Sequence, residues 1–209
     1  MTAPLPPLPS VRGVAWYEPA GRSIVDLLVA EHHDLRLLCA ELTDLAGPPA
    51  RRSRIADVLT ATLTRHISGE EQYLYPAVRA VLPDGDRLAE QEIAADVALL
   101  RALTRLTAAR PEDDGYEGLV HRVCTQVARH VDEASRTLLP RLRVRGREED
   151  LVRLGNRLEI AEEAAPTRPH LSTPVRPPWN KLVDPGIGVF DKIRDALTGR
   201  ATYPADVGL

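Results

Sequence analysis

The sequence has no surplus of positive charge. Its 27 Lys and Arg stand against 30 Asp and Glu, a net charge of −3. A general nucleic-acid binder carries a basic surplus or stripe, so that class is set aside. No apolar run approaches the roughly 18 residues that a bilayer span needs, and no membrane association is expected. The first residues, MTAPLPPLPSVRG, put prolines where an export signal needs an unbroken apolar segment, so no such signal is expected. Cysteine is scarce. Cys39 and Cys124 make no disulfide framework, and a reducing cytoplasm is the simplest setting.

Proline is scarce only in the middle of the chain. Of 18 prolines, five fall in residues 1–20 and seven in 165–209; the rest are Pro48, Pro49, Pro76, Pro83, Pro111 and Pro140. Proline removes a backbone donor and blocks helix interiors, so the ends read as extended segments and the middle as helices. The ends carry Trp16, Tyr17, Trp179 and Phe190, apolar groups able to pack onto a body. Residues 186–197 have a short amphipathic helical pattern through Ile187, Val189, Phe190, Ile193 and Leu197.

Apolar residues recur in the middle with a period near 3.6. Ser23 caps a first helix whose stripe is Ile24, Leu27, Leu28, His32, Leu35, Leu38, Cys39, Leu42 and Leu45, stopped by Gly47-Pro48-Pro49. A second helix is expected from about Ser53 to Ala80, with Ile55, Leu59, Leu63, His66, Glu70, Tyr73 and Ala77 inward. After the turn at Pro83-Asp84-Gly85, a third runs from about Asp86 to Ala108. A fourth runs from about Tyr116 to Arg143, with Leu119, Val123, Val127, His130, Ala134 and Leu138 inward. A weaker pattern covers Glu148–Ala164. Long helices joined by short turns predict an all-α, up-down antiparallel four-helix bundle. The expected divisions are an N-terminal extension at 1–21, a bundle at 22–145, an added helix at 146–164 and a proline-rich tail with a short helix at 165–209.

The sequence repeats on itself at an offset of 64 without gaps. Leu35 falls on Leu99, Leu42 on Leu106, Ile55 on Leu119, Arg65-His66 on Arg129-His130, Leu74 on Leu138 and Pro76 on Pro140. The bundle is therefore expected to be two helix hairpins related by a pseudo-two-fold axis.

The polar residues on the apolar stripes carry the chemistry. His32 sits among Leu28, Leu35 and Leu38. His66 and Glu70 are one turn apart on one face, and His130 points inward by the same argument. A buried carboxylate without a partner is costly. A divalent metal held by imidazoles and a carboxylate relieves that cost and suits iron, zinc or manganese. Taken singly, a His-x-x-x-Glu is usually a solvated pair and an inward histidine a hydrogen-bonded core residue; together, at this spacing, they point to a metal centre. Tyr73, seven residues after His66, reads either as a core tyrosine or as a donor to a ligand or bound oxidant. His33, His121 and His170 are expected at the surface.

These residues resemble the hemerythrin family, in particular bacterial proteins with an H-HxxxE-H-HxxxE arrangement. The matching stretches are Glu31-His32-His33-Asp34-Leu35 and His66-Ile67-Ser68-Gly69-Glu70-Glu71-Gln72-Tyr73-Leu74-Tyr75-Pro76, with a weaker echo in His130-Val131-Asp132-Glu133 and Leu138-Leu139-Pro140. The likeness covers residues 22 to about 145, and the tail from Arg168 to Leu197 is similar to that of actinobacterial members. The resemblance implies a non-haem di-iron site in a four-helix bundle, its irons bound by histidines and bridged by carboxylates, reacting with dioxygen, peroxide or nitric oxide.

The second half departs from that pattern. Offset 64 sets Asp96 opposite His32 and Ala134 opposite Glu70. Asp96 is a hard oxygen donor acceptable to iron or manganese; Ala134 is no ligand. The set carried over is His32, His66, Glu70, Asp96 and His130, five side chains where the full pattern has six. Aligning Val97 with Leu35 would instead set Ala94 opposite His32; the gapless repeat favours Asp96. With one bridging carboxylate gone, the repulsion between two ions is less offset. One firmly held ion is expected, with a second weak, exchangeable or absent. Three functions compete: a metal protein that binds or senses a small oxidant, a non-haem oxygenase or peroxide-consuming enzyme, and a metal-free interaction scaffold.

Overall fold

The computed structural model of the chain describes residues 19–44, 47–169, 189, 191–192 and 194–209. Trp16, Tyr17, His170, Trp179, Ile187, Phe190 and Ile193 lie outside these residues. Helix α1 spans Ile24–Thr43, and the Ser23 hydroxyl accepts a hydrogen bond from the Asp26 amide at its N-terminus. Helix α2 spans Pro49–Gly69 and begins four residues earlier than expected. Pro49 sits in its first turn, where a missing N–H costs nothing; the same prolines that stop α1 start α2.

Two features interrupt the long second and fourth helices. A π turn occupies Glu70–Leu74 before α3 (Tyr75–Val81), and another occupies Ala134–Leu138 before α6 (Leu139–Arg145). In each the amide of the residue just after the turn bonds five residues back, Tyr75 to Glu70 and Leu139 to Ala134. The cause follows directly, in Pro76 and Pro140. A proline ring inside a helix clashes with the carbonyl four residues earlier, and one wider turn moves that carbonyl aside without ending the helix. Helices α4 (Gly85–Ala108), α5 (Tyr116–Glu133) and α7 (Glu148–Ala164) complete the set.

Helix α1 packs on α2 and α5, and α4 packs on α5 and α2, closing an antiparallel four-helix ring. Two apolar clusters fill it. One holds Leu35, Leu38, Leu59, Leu63, Leu99, Leu103, Val123 and Val127; the other holds Ile24, Leu28, Leu74, Val78, Leu88, Leu138 and Leu142. His32, His66, Asp96 and His130 each fall between residues of the two clusters along their own helices, so a polar layer crosses the middle of the bundle.

Helix α7 lies outside the ring, against α1 and α2. Two glycines let it come close. A Cβ on Gly155 would stand 2.2 Å from the Arg22 carbonyl oxygen, and one on Gly69 would stand 2.4 Å from a Leu158 methyl. The C-terminal segment is strapped to α2. Arg65 donates to the Thr202 carbonyl (2.6 Å) and stacks on Tyr203, Arg54 donates to the Asp206 carbonyl (2.6 Å), and Arg200 pairs with Asp57 (2.7 Å). Asp191 accepts from the amides of Thr167 and Arg168. The short helix expected near the C-terminus is present at 194–198, and its Leu197 is exposed. Among the described residues no helix is long and apolar enough to cross a membrane.

Candidate metal centre

Four of the five expected ligands converge. His32 from α1, His66 from the end of α2, Glu70 from the π turn and His130 from α5 are all buried, and one donor atom of each lies within 4.8 Å of the others. The three imidazole centroids form a triangle with sides of 5.0, 5.6 and 5.4 Å. His66 Nε2 and His130 Nε2 are 3.2 Å apart. Glu70 Oε1 lies 3.5 Å from His66 Nε2 and 3.9 Å from His32 Nε2, and Glu70 Oε2 lies 3.4 Å from His130 Nε2.

These separations suit a cation. Ligands about 2.0–2.1 Å from a tetrahedral ion are about 3.3–3.4 Å from each other. His32 supplies an independent sign: both its ring nitrogens are buried with no hydrogen-bond partner, as is Glu70 Oε1. Native interiors rarely leave such groups unmatched, and a cation shared between one His32 nitrogen and Glu70 Oε1 would satisfy two of them at once. Burial, then the neighbouring His66 and His130, holds the His32 imidazole down at about 2, and burial chiefly holds His66 at about 3. Both rings are thus neutral with lone pairs free for a metal. Burial pushes Glu70 up to about 8. On His130 burial acts downward, but Glu70 and Asp96 outweigh it and raise the ring to about 9.

Asp96 stands one layer out. It is fully buried, whereas Ala94 is exposed, so the gapless register holds for α4. Its carboxylate lies 3.2 Å from His130 Nδ1, off the line of an ideal hydrogen bond, and accepts from the Tyr75 hydroxyl (2.5 Å). The Tyr75 hydroxyl is also 2.9 Å from Glu70 Oε2. The tyrosine at the centre is therefore Tyr75 rather than Tyr73. The π turn adds a residue to the spacing, so position 75 faces inward while Tyr73 is half-buried on the side of Arg157. A uniform 3.6 period places that face two residues too early.

Three further carboxyls escaped the sequence reading. Glu31 accepts from His66 Nδ1 (2.8 Å), which turns His66 Nε2 toward the centre. Glu162 of α7 hydrogen-bonds Glu31; burial raises Glu31 to about 7 and Glu162 to about 9, so the pair shares a proton. Glu92, one turn before Asp96, is buried and pushed up to about 7 by burial and by Asp96. The i,i+4 spacing of Glu92 and Asp96 was a usable signal. Glu31 lies off the apolar stripe and Glu162 lies on a helix outside the repeat, so neither had one. His33 and His121 are exposed.

The model of the Hemerythrin HHE cation binding domain matches residues 23–142. A hemerythrin-like protein of Schizosaccharomyces pombe is 24% identical over 136 residues, covering 65% of this chain and 67% of the yeast protein. No solved structure matches the chain.

Proposed function

Because the chain belongs to the hemerythrin HHE cation-binding family, we propose that His32, His66, Glu70 and His130 hold one cation, iron in the first place, at which a small oxidant such as dioxygen, peroxide or nitric oxide is bound or sensed in the cytoplasm. The observation that carries this reading is the imidazole of His32, buried with neither nitrogen partnered and with one of them grouped with two other imidazoles and a buried carboxylate.

An iron ion supplies redox change and Lewis acidity toward such a ligand. The chain's own residues prepare the place. Glu31 fixes the tautomer and direction of His66, Asp96 faces the outer nitrogen of His130, and the Tyr75 hydroxyl bridges the Glu70 and Asp96 carboxylates. The two apolar clusters on either side keep water out and strengthen every interaction within the layer. Three neutral donors and one carboxylate also suit zinc or manganese. Among the described residues, the other cluster with metal-ligand chemistry is Glu31, His66 and Glu162, which shares His66 with the first. One ion per chain is therefore the expected loading.

Metal analysis of purified protein, beside its visible absorption spectrum, tests the reading. One iron per chain with a ligand-to-metal band that shifts on adding nitric oxide or peroxide supports it. A protein that holds no metal after growth with excess iron sinks it and favours the scaffold. Metal-dependent turnover of an organic compound would favour the enzyme.

A further inference from the structure

Cys39 on α1 and Cys124 on α5 are both free thiols, and they meet where these two helices pack. The Cys124 sulfur lies 3.8 Å from the Cys39 carbonyl oxygen, 85 positions away in sequence, so the two side chains sit side by side, each perturbing the other's thiol. Cys39 is buried within the apolar cluster of Leu35, Leu38 and Leu59, while Cys124 is half-buried at its margin. We propose that this pair is a modification site, a dithiol that a peroxide converts reversibly to a disulfide joining α1 to α5.

Packing alone does not require two thiols there. Under the offset of 64, Cys39 corresponds to Leu103 and Cys124 to Thr60, so the symmetry-related positions on α4 and α2 hold a leucine and a threonine. The thiols are specific to one side of the bundle. The position also bears on the metal layer, since Cys39 follows His32 by seven residues and Cys124 precedes His130 by six, about 10 Å along each helix. A staple here joins the two helices that carry those imidazoles. Chemically, the half-buried thiol reacts first: the neighbouring Cys39 holds the Cys124 thiol below its ordinary range, favouring the nucleophilic thiolate. Its sulfur attacks one peroxide oxygen, the O–O bond breaks, and the second oxygen leaves as water after protonation. Cys39 then attacks the sulfenyl sulfur, the S–O bond breaks, and that oxygen leaves as a second water with the Cys39 proton. Two thiols and one hydrogen peroxide become one disulfide and two waters.

The test uses the full chain, reduced with dithiothreitol, desalted and treated with a small excess of hydrogen peroxide, both as isolated and after chelation. The expected product is monomeric, lighter by two hydrogen atoms, with Cys39 and Cys124 protected together from alkylation and both restored by dithiothreitol. A non-reduced peptide map joins the two segments, and Cys124→Ser leaves Cys39 alkylatable. The chelated protein should behave alike, so the outcome does not depend on the cation reading. Wild-type protein whose thiols both still alkylate, or whose Cys124 gains oxygen while Cys39 stays free, or which links only between chains, overturns the proposal.

Discussion

The two hairpins of the bundle, α1 to α3 and α4 to α6, share a backbone and differ in chemistry. Both contain a π turn followed by a proline, and both bring one histidine, His66 or His130, to the same depth. Only the first keeps a carboxylate on the turn. Ala134 occupies the place of Glu70 and is just as buried, so the wide turn persists where nothing is left to ligate. The turn therefore belongs to the proline and the fold rather than to the ligand. Asp96, standing where the first half has His32, has moved from the centre to a supporting place beside His130 and Tyr75. A repeat can thus preserve its geometry while one copy turns from binding to supporting.

Erasing the first half's chemistry should have the largest effect. Glu70→Ala makes the two turns alike and removes the carboxylate from the four-donor set. Bound metal should fall to a small fraction, and the melting temperature should drop. The loss is about 2.7 kcal/mol if the wild type is assayed with cation at about 100 times its Kd. Metal analysis after dialysis and a thermal melt measure both. Unchanged metal content would remove Glu70 from the site.

Restoring the second half should act in the opposite sense. Ala134→Glu with Asp96→His rebuilds a six-donor pattern, and loading should rise toward two ions per chain. Ala134→Glu alone buries a carboxylate near Glu70 and Asp96, and without metal should cost about 1–3 kcal/mol. Stoichiometry after dialysis decides it; one ion in both variants would show that the second π turn does not aim position 134 at the centre.

The halves also differ in proton affinity, because His130 is raised to about 9 and His66 lowered to about 3. In the metal-free chain His130 carries a proton throughout neutral pH, and Glu70, raised to about 8, competes likewise below that value. A cation must displace these protons. Apparent affinity should therefore rise with pH, by about tenfold per unit for each proton displaced, between pH 6 and 8. Competition with a chelator across this range is the measurement, and a flat profile would contradict the assigned protonation.

The smallest effects separate the two tyrosines around the first turn. Tyr75→Phe leaves Glu70 and Asp96 without their shared donor and should destabilise the chain by about 1–3 kcal/mol while shifting the metal's absorption. Tyr73→Phe should stay within about 0.5 kcal/mol with an unchanged spectrum. Equal effects in urea melts would place the π-turn register in error.

The periodic middle of the sequence determined the helices, their antiparallel order, the repeat and the four residues His32, His66, Glu70 and His130, because each depends on local spacing along a helix of constant pitch. Tertiary structure decided the rest. A clash between a proline ring and a carbonyl widens one turn and exchanges Tyr73 for Tyr75. The close approach of α7 over Gly69 and Gly155 brings Glu162 to Glu31 and so behind His66. Packing of α4 on α5 sets Asp96, expected as a fifth ligand, beside His130 instead of in the four-donor cluster. These follow from contacts between segments far apart in the chain, which no single helical period contains.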